Sequence, residues 1–229
     1  MKNRYSLSFP VLVFVLNTLT AFVLQADVLA SYSFTTATGN PTTLDTNLTD
    51  GVLSWEGSLS AGFSSGTNSA YAFTANVPES LDITKYLEFT ITATSGNEFS
   101  LDTLVFDLGG RNYSADNDYL VTANVRSDLD SYGSDLATFN YTVPKGLSSD
   151  NYGEDFTVNF TGSQFDNLSE ITFRLYPSDQ NDNGNNIYRY ANITLNGSTA
   201  VIPEPGTASL VLLSVLGFIM CGRFSRRKK

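Results

Sequence analysis

The stretch "SDQNDNGNN" holds the densest run of potential ligands: Asp179, Asn181, Asn183 and Gly184 match the first half of a D-x-[DN]-x-[DN]-G calcium loop. Oxygens at alternate positions converge on one cation when a glycine permits the sharp turn between them. The twelfth position is Tyr190 rather than a bidentate glutamate, which excludes an EF-hand. A weaker loop-type calcium site is left, with Asp182, or Asp116 and Asp118 of "SADND", supplying further charge. The same stretch also satisfies a metal-free reading as a polar hairpin loop, because Asn-Gly is a favoured turn on its own.

Other chemistry is limited by what the chain lacks. It has no histidine, and its one cysteine, Cys221, lies in an apolar tail. Ser-His-Asp catalysis, a cysteine nucleophile in the folded part, Cys/His zinc sites and disulfides are therefore excluded. Glycoside hydrolysis by two carboxylates remains, and it needs them about 5 to 9.5 Å apart. The candidates are Glu56, Glu79, Glu88, Glu98, Glu154 and Glu170, and no pattern in the sequence pairs any two of them. Tyr113, Tyr132, Tyr152 and Tyr188 lie in or beside predicted loops, where phenol rings can stack on pyranose rings. No catalytic residue is assigned, and the expectation is a protein that is not an enzyme.

The elements that carry these residues read as strands. In "YLEFTITAT", Leu87, Phe89, Ile91 and Ala93 share one face while Glu88, Thr90, Thr92 and Thr94 share the other. The alternation recurs in "EDFTVNFTG", "EITFRLYP" and "YLVTANVRS". Ten strands are predicted, at 28–35, 51–56, 69–75, 86–94, 101–109, 119–127, 136–143, 155–161, 170–177 and 187–196. Short strands with polar turns and no long helix predict an all-β domain, an antiparallel β-sandwich of jelly-roll type. Trp55 and the phenylalanines are expected between the sheets.

The ends do not belong to that domain. Residues 1–26 combine Lys2 and Arg4 with an apolar run and small residues at Ala26 and Ala30, as in a secretory signal peptide. Cleavage after either alanine fits, and Ala26 is favoured because "DVLASYSF" already reads as a strand. The β-sandwich domain is assigned to 27–197 and a linker to 198–207. Residues 208–222 are uncharged and nearly all apolar, read as a short transmembrane helix near the lower limit of length, and precede a basic tail at 223–229. Positive charge stays on the cytoplasmic side, so the domain lies across the membrane from Arg223, Arg226, Arg227, Lys228 and Lys229. Residues 27–202 carry six cations against 22 acidic residues, a net of −16. That charge disfavours nucleic acid and suits neutral or cationic partners and divalent cations.

Pro203, Glu204 and Pro205, followed by the apolar run and the basic cluster, resemble the PEP-CTERM sorting signal of exported bacterial proteins. The resemblance is confined to the C-terminal tail. It implies an exosortase as partner, in a Gram-negative cell that makes extracellular polysaccharide. The precursor would be anchored in the inner membrane, then processed and released to the cell surface or beyond. The two prolines prevent regular helix or sheet at the motif, which keeps it extended for a protease. Seven Asn-x-Ser/Thr sequons leave a eukaryotic membrane glycoprotein as an alternative, although so Asn-, Ser- and Thr-rich a chain generates sequons by composition. The expected function is a surface or extracellular-matrix protein whose sandwich associates with exopolysaccharide. The alternatives are a lectin-like module and a secreted glycoside hydrolase.

Overall fold

The two-residue alternation becomes strands in the computed structural model, which describes residues 27–57, 59–65, 70–75, 77–113, 116–146, 153–180 and 187–202. In chain order these are β1 (Asp27–Tyr32), β2 (Thr43–Leu44), β3 (Leu48–Asp50), β4 (Ser54–Glu56), β5 (Ser60–Ser64), β6 (Tyr71–Ala75) and β7 (Tyr86–Ala93). They continue as β8 (Asn97–Arg111), β9 (Tyr119–Ser127), β10 (Ala137–Val143), β11 (Gly153–Asn159), β12 (Glu170–Gln180) and β13 (Ile187–Val201). All ten predicted strands are present, and β2, β3 and β5 are additional. Among the described residues the only helical turns are short 3-10 segments at Asp128–Asp130 and Ser163–Phe165.

Every pairing is antiparallel. Sheet I runs β11-β8-β13-β1-β2, with β6 also on β13 and β5 on β6; sheet II runs β10-β9-β12-β7-β3, with β4 also on β7. Count β1 and β7 to β13 as eight principal strands. Sheet I then has the order 6-3-8-1 and sheet II the order 5-4-7-2, the interleaving of a jelly roll. The sheets face each other across one core that includes Leu29, Leu87, Phe89, Phe106, Phe173 and Leu195. Aromatic edges cross the gap: Tyr32 of β1 meets Phe89 of β7 at 5.7 Å, and Phe106 of β8 meets Phe139 of β10 at 5.7 Å. Trp55, expected between the sheets, is partly buried against the core and stacks on Tyr190 at 6.1 Å.

Buried tyrosines join the sheets with hydrogen bonds as well as area. Tyr188 Oη donates to the Thr122 carbonyl of the facing sheet at 2.8 Å and contacts Tyr190 Oη at 2.9 Å. Tyr119 Oη reaches across to the Ile187 carbonyl at 2.8 Å. That path exists because residue 110 is glycine: a Cβ there would lie 2.0 Å from Tyr119 Oη.

The assigned domain end at 197 requires correction. Ser198 to Val201 continue β13 and pair with Ser100 to Asn97 of β8, so the strand covers the first four residues assigned to the linker. These residues lack an alternating pattern of their own, and β8 stabilises them by supplying a partner ladder. The segments expected to be a signal peptide and a transmembrane helix, residues 1–26 and 208–222, lie outside the described residues, as do Pro203-Glu204-Pro205 and the basic tail. Among the described residues no helix is long and apolar enough to cross a membrane.

Candidate functional site

On the outer face of sheet II, strand alternation gathers a Tyr/Arg cluster. With Leu87 and Phe89 turned inward, Tyr86, Glu88 and Thr90 of β7 face out; with Phe173 and Leu175 inward, Arg174 and Tyr176 of β12 do the same, although Tyr176 is covered by its neighbours and only 1 % exposed. Register then aligns Ser54 of β4, Glu88, Arg174 and Arg126 of β9 in one row. Two arginines side by side repel, so each has its own carboxylate. Arg174 Nε donates to Glu88 Oε2 at 2.6 Å, and Arg126 Nε to Asp135 Oδ1 at 2.5 Å.

Tyrosine rings enclose these cations. The Arg174 guanidinium lies 4.1 Å from the Tyr86 ring centroid and 3.7 Å from that of Tyr132, while Arg126 lies 5.5 Å from Tyr176. Tyr86 meets Tyr176 edge to face at 5.5 Å. Tyr132 reaches the face from the turn after β9, where Ser131 and Tyr132 both have left-handed backbone, φ 59° and 60°. For a bulky side chain this is an outlier costing of order 1–3 kcal/mol, and it persists only where neighbours over-determine it. Here they do. The Tyr132 N–H donates to the Ser127 carbonyl at 3.0 Å, and its own carbonyl accepts from Arg126 Nη1 at 2.9 Å. Asp130 accepts from the Gly133 and Ser134 N–H groups at 3.1 and 3.0 Å.

Burial lowers the basicity of Arg174, but its hydrogen bonds to Glu88 and Tyr176, with the charges of Tyr132 and Glu88, outweigh it and the net shift is upward. Burial also raises the Tyr86 and Tyr132 phenols, partly opposed by Arg174, so both stay neutral. Beside this cluster is an open depression of about 260 Å³ lined by Gly51, Val52, Ser54, Glu88, Phe89 and Thr90. It is smaller than the ~300–1,000 Å³ of pockets that enclose small molecules. The arrangement offers aromatic surface, a fixed guanidinium and carboxylate, and hydroxyls along a solvent-facing sheet.

Of the tyrosines singled out in the sequence, Tyr132 belongs to this face, and half-exposed Tyr113 lies at the far end of β8 beside Arg111. Tyr188 is fully buried in the core, not in a loop, because β13 begins at Ile187 and turns it inward; Tyr152 lies outside the described residues. Glu88 is in the cluster. Glu56, Glu79, Glu98, Glu154 and Glu170 are distributed over both sheets and their turns. Two carboxylates that the sequence did not suggest, Asp107 of β8 and Asp155 of β11, are directly opposed across strands on sheet I. After burial, Asp155 is the next cause that raises the Asp107 carboxyl. Asp179 is not a loop residue: β12 extends through Gln180, and Asp179 is 2 % exposed opposite Val121. Asn181 and Asn183 lie outside the described residues. Asp118 Oδ1 accepts from the Lys145 N–H at 2.8 Å. Among the described residues no three acidic, histidine or cysteine side chains cluster as metal ligands.

Tyr86, Tyr176, Arg126 and Arg174 were missed as site residues. Their signal was the outward phase of strands whose inward phase had already been recognised.

No protein-family model and no curated protein matches the chain. Among solved structures it is similar to the CBM22-1 xylan-binding domain from Paenibacillus barcinonensis Xyn10C, at 9% identity and TM-score 0.43, covering 78% of this chain and 97% of that one. It is also similar to the CBM36-1 domain of a multidomain xylanase from the hindgut metagenome of Trinervitermes trinervoides (16% identity, TM-score 0.31, 68% and 100% coverage). A third is Arthrobacter globiformis T6 isomalto-dextranse complexed with panose (11% identity, TM-score 0.36, 75% and 32% coverage). These likenesses are too distant to transfer a ligand, so the site stands on its own residues.

Proposed function

We propose that this chain is an exported surface or extracellular-matrix protein whose β-sandwich binds polysaccharide, without catalysis, through the outer face of sheet II. The observation that carries this reading is the Arg174–Glu88 pair held between the rings of Tyr86 and Tyr132, on a sheet face with a shallow depression rather than a deep pocket. Aromatic rings supply flat apolar area for a sugar ring, and the pair supplies a fixed donor and acceptor for hydroxyls. An acidic domain of net charge −16 favours neutral glycans over strongly anionic ones at this face. The C-terminal tail, from its resemblance to the PEP-CTERM signal, anchors the precursor in the inner membrane for an exosortase.

Affinity electrophoresis in gels containing exopolysaccharide from an exosortase-bearing bacterium tests the binding. Wild-type protein is retarded, and Tyr132→Ala loses about tenfold in affinity, the equivalent of about 1.4 kcal/mol. Equal mobility with and without polysaccharide would refute the reading, and release of reducing ends would replace it with hydrolysis. Chelation by EDTA leaves binding unchanged. Loss of binding that calcium restores would instead assign a metal to the segment of Asp179, Asn181 and Asn183.

A further inference from the structure

Sheet I has its own outer face, and its centre is a buried arginine. Arg189 of β13 stands between Phe73 of β6 and Gly109 of β8, and the row continues to Gly62 of β5 and Gly153 of β11. Three of its four neighbours along that row are therefore glycines. Arg189 is only 2 % exposed, yet its Nε, Nη1 and Nη2 are all buried without a hydrogen-bond partner. Among the described residues no carboxylate forms an ion pair with it. Its contact is the ring of Tyr71, 3.8 Å away, which satisfies none of the five N–H donors. One row along on the same face is Arg111, opposite Ile187, with Nη1 on Tyr113 Oη at 2.6 Å. Burial, reinforced by Arg111, pushes the Arg189 guanidinium down to about 10, against the opposing influence of Tyr71.

A buried cation with unmet donors is among the costliest groups a fold can carry, and such groups call for an occupant. Its chemistry follows from the donor set. A guanidinium fork pairs two parallel N–H groups with two oxygens of a carboxylate or a tetrahedral oxyanion, and a second guanidinium adds charge on the same side. We propose that Arg189, with Arg111 beside it and Tyr71 over it, binds a small oxyanion: the carboxylate, sulfate or phosphate group of an acidic sugar residue, or the same group as a free ion. Because this site lies on the opposite sheet from the Tyr/Arg face, it does not rest on the saccharide reading above.

Thermal unfolding and calorimetric titration of the full-length protein in low-salt buffer test the proposal, with sodium sulfate, sodium phosphate, sodium glucuronate and neutral glucose as probes. At ~100-fold excess over Kd, a bound oxyanion raises the Tm of wild-type protein saturably, by on the order of 5 °C. Arg189→Met keeps the volume and removes the donors. It matches or exceeds the wild-type Tm without anion, and its Tm does not respond beyond the general effect of salt. Glucose has no effect on either protein. Binding of sulfate and phosphate as tight as that of glucuronate identifies a free ion as the source, and a clear preference for glucuronate identifies an acidic sugar. If Arg189→Met does not fold, one-to-one binding to wild-type protein with competition between sulfate and glucuronate decides instead. Absence of saturable binding to wild-type protein, or an equal Tm rise in Arg189→Met, overturns the proposal.

Discussion

All four arginines of the described residues stack on tyrosine, Arg111 on Tyr113, Arg126 on Tyr176, Arg174 on Tyr86 and Tyr132, and Arg189 on Tyr71. On sheet II the rings act together with a carboxylate, since Arg126 also pairs with Asp135 and Arg174 with Glu88, whereas on sheet I Arg189 has the ring of Tyr71 and no ion pair among the described residues. The carboxylates face the opposite difficulty. Asp107 is pushed up to about 6, by burial first and then by its hydrogen bond with Asp155, while the Asn192 amide at 2.5 Å opposes the shift. A carboxyl that holds its proton more tightly folded than unfolded stabilises the fold as pH falls. The stabilisation grows between about pH 6 and the unfolded value of 3.8, and it is lost as pH rises through 6. Because Asp107 is roughly half exposed, the effect is discounted to about 1 kcal/mol. Asp107→Asn keeps the acceptor for Asn192 and removes the charge, so its Tm exceeds that of wild type at pH 7 and converges with it near pH 4. Parallel Tm curves over that range would contradict this account.

At the scale of elements, the ladder of β8 against β13 is the frame of sheet I and of the Arg189 face, while the register of β12 on β7 and β9 positions the face of sheet II. Gly110 sits in that frame under Tyr119, and Gly110→Ala brings a methyl against both Tyr119 Oη and the Ile187 carbonyl. Denaturant unfolding of this variant should show a loss of about 2 kcal/mol or more, since overpacking in a close-packed core forces backbone shifts. Wild-type stability would mean that Tyr119 is not fixed over the glycine. The inward phase of these elements was legible in the sequence: Leu87, Phe89, Ile91, Ile171, Phe173 and Leu175 alternate, and all are buried. The extension of β13 to Val201 and of β12 to Gln180 was not, because pairing partners distant in the chain create them. The candidate site was only partly legible for the same reason. Tyr132 stood out in a turn, whereas Tyr86 meets Arg174 only through the register of β7 on β12. Nothing in the composition shows that Arg189 is buried without a hydrogen-bonding partner.

For the whole molecule, the proposal joins a sandwich that binds glycan to a tail that directs export and anchoring. Replacing Pro203, Glu204 and Pro205 by alanines leaves the sandwich folded and retains uncleaved precursor in the membrane fraction, as read by immunoblot of fractionated cells. Normal processing of that variant would remove the exosortase from the account. The most direct test of the central claim is amide hydrogen exchange on the full-length protein with and without a saturating polysaccharide-derived oligosaccharide. The account predicts added protection concentrated at residues 54–56, 86–90, 126–135 and 172–176 on sheet II. Unchanged exchange at those residues, or protection confined to sheet I, would contradict it.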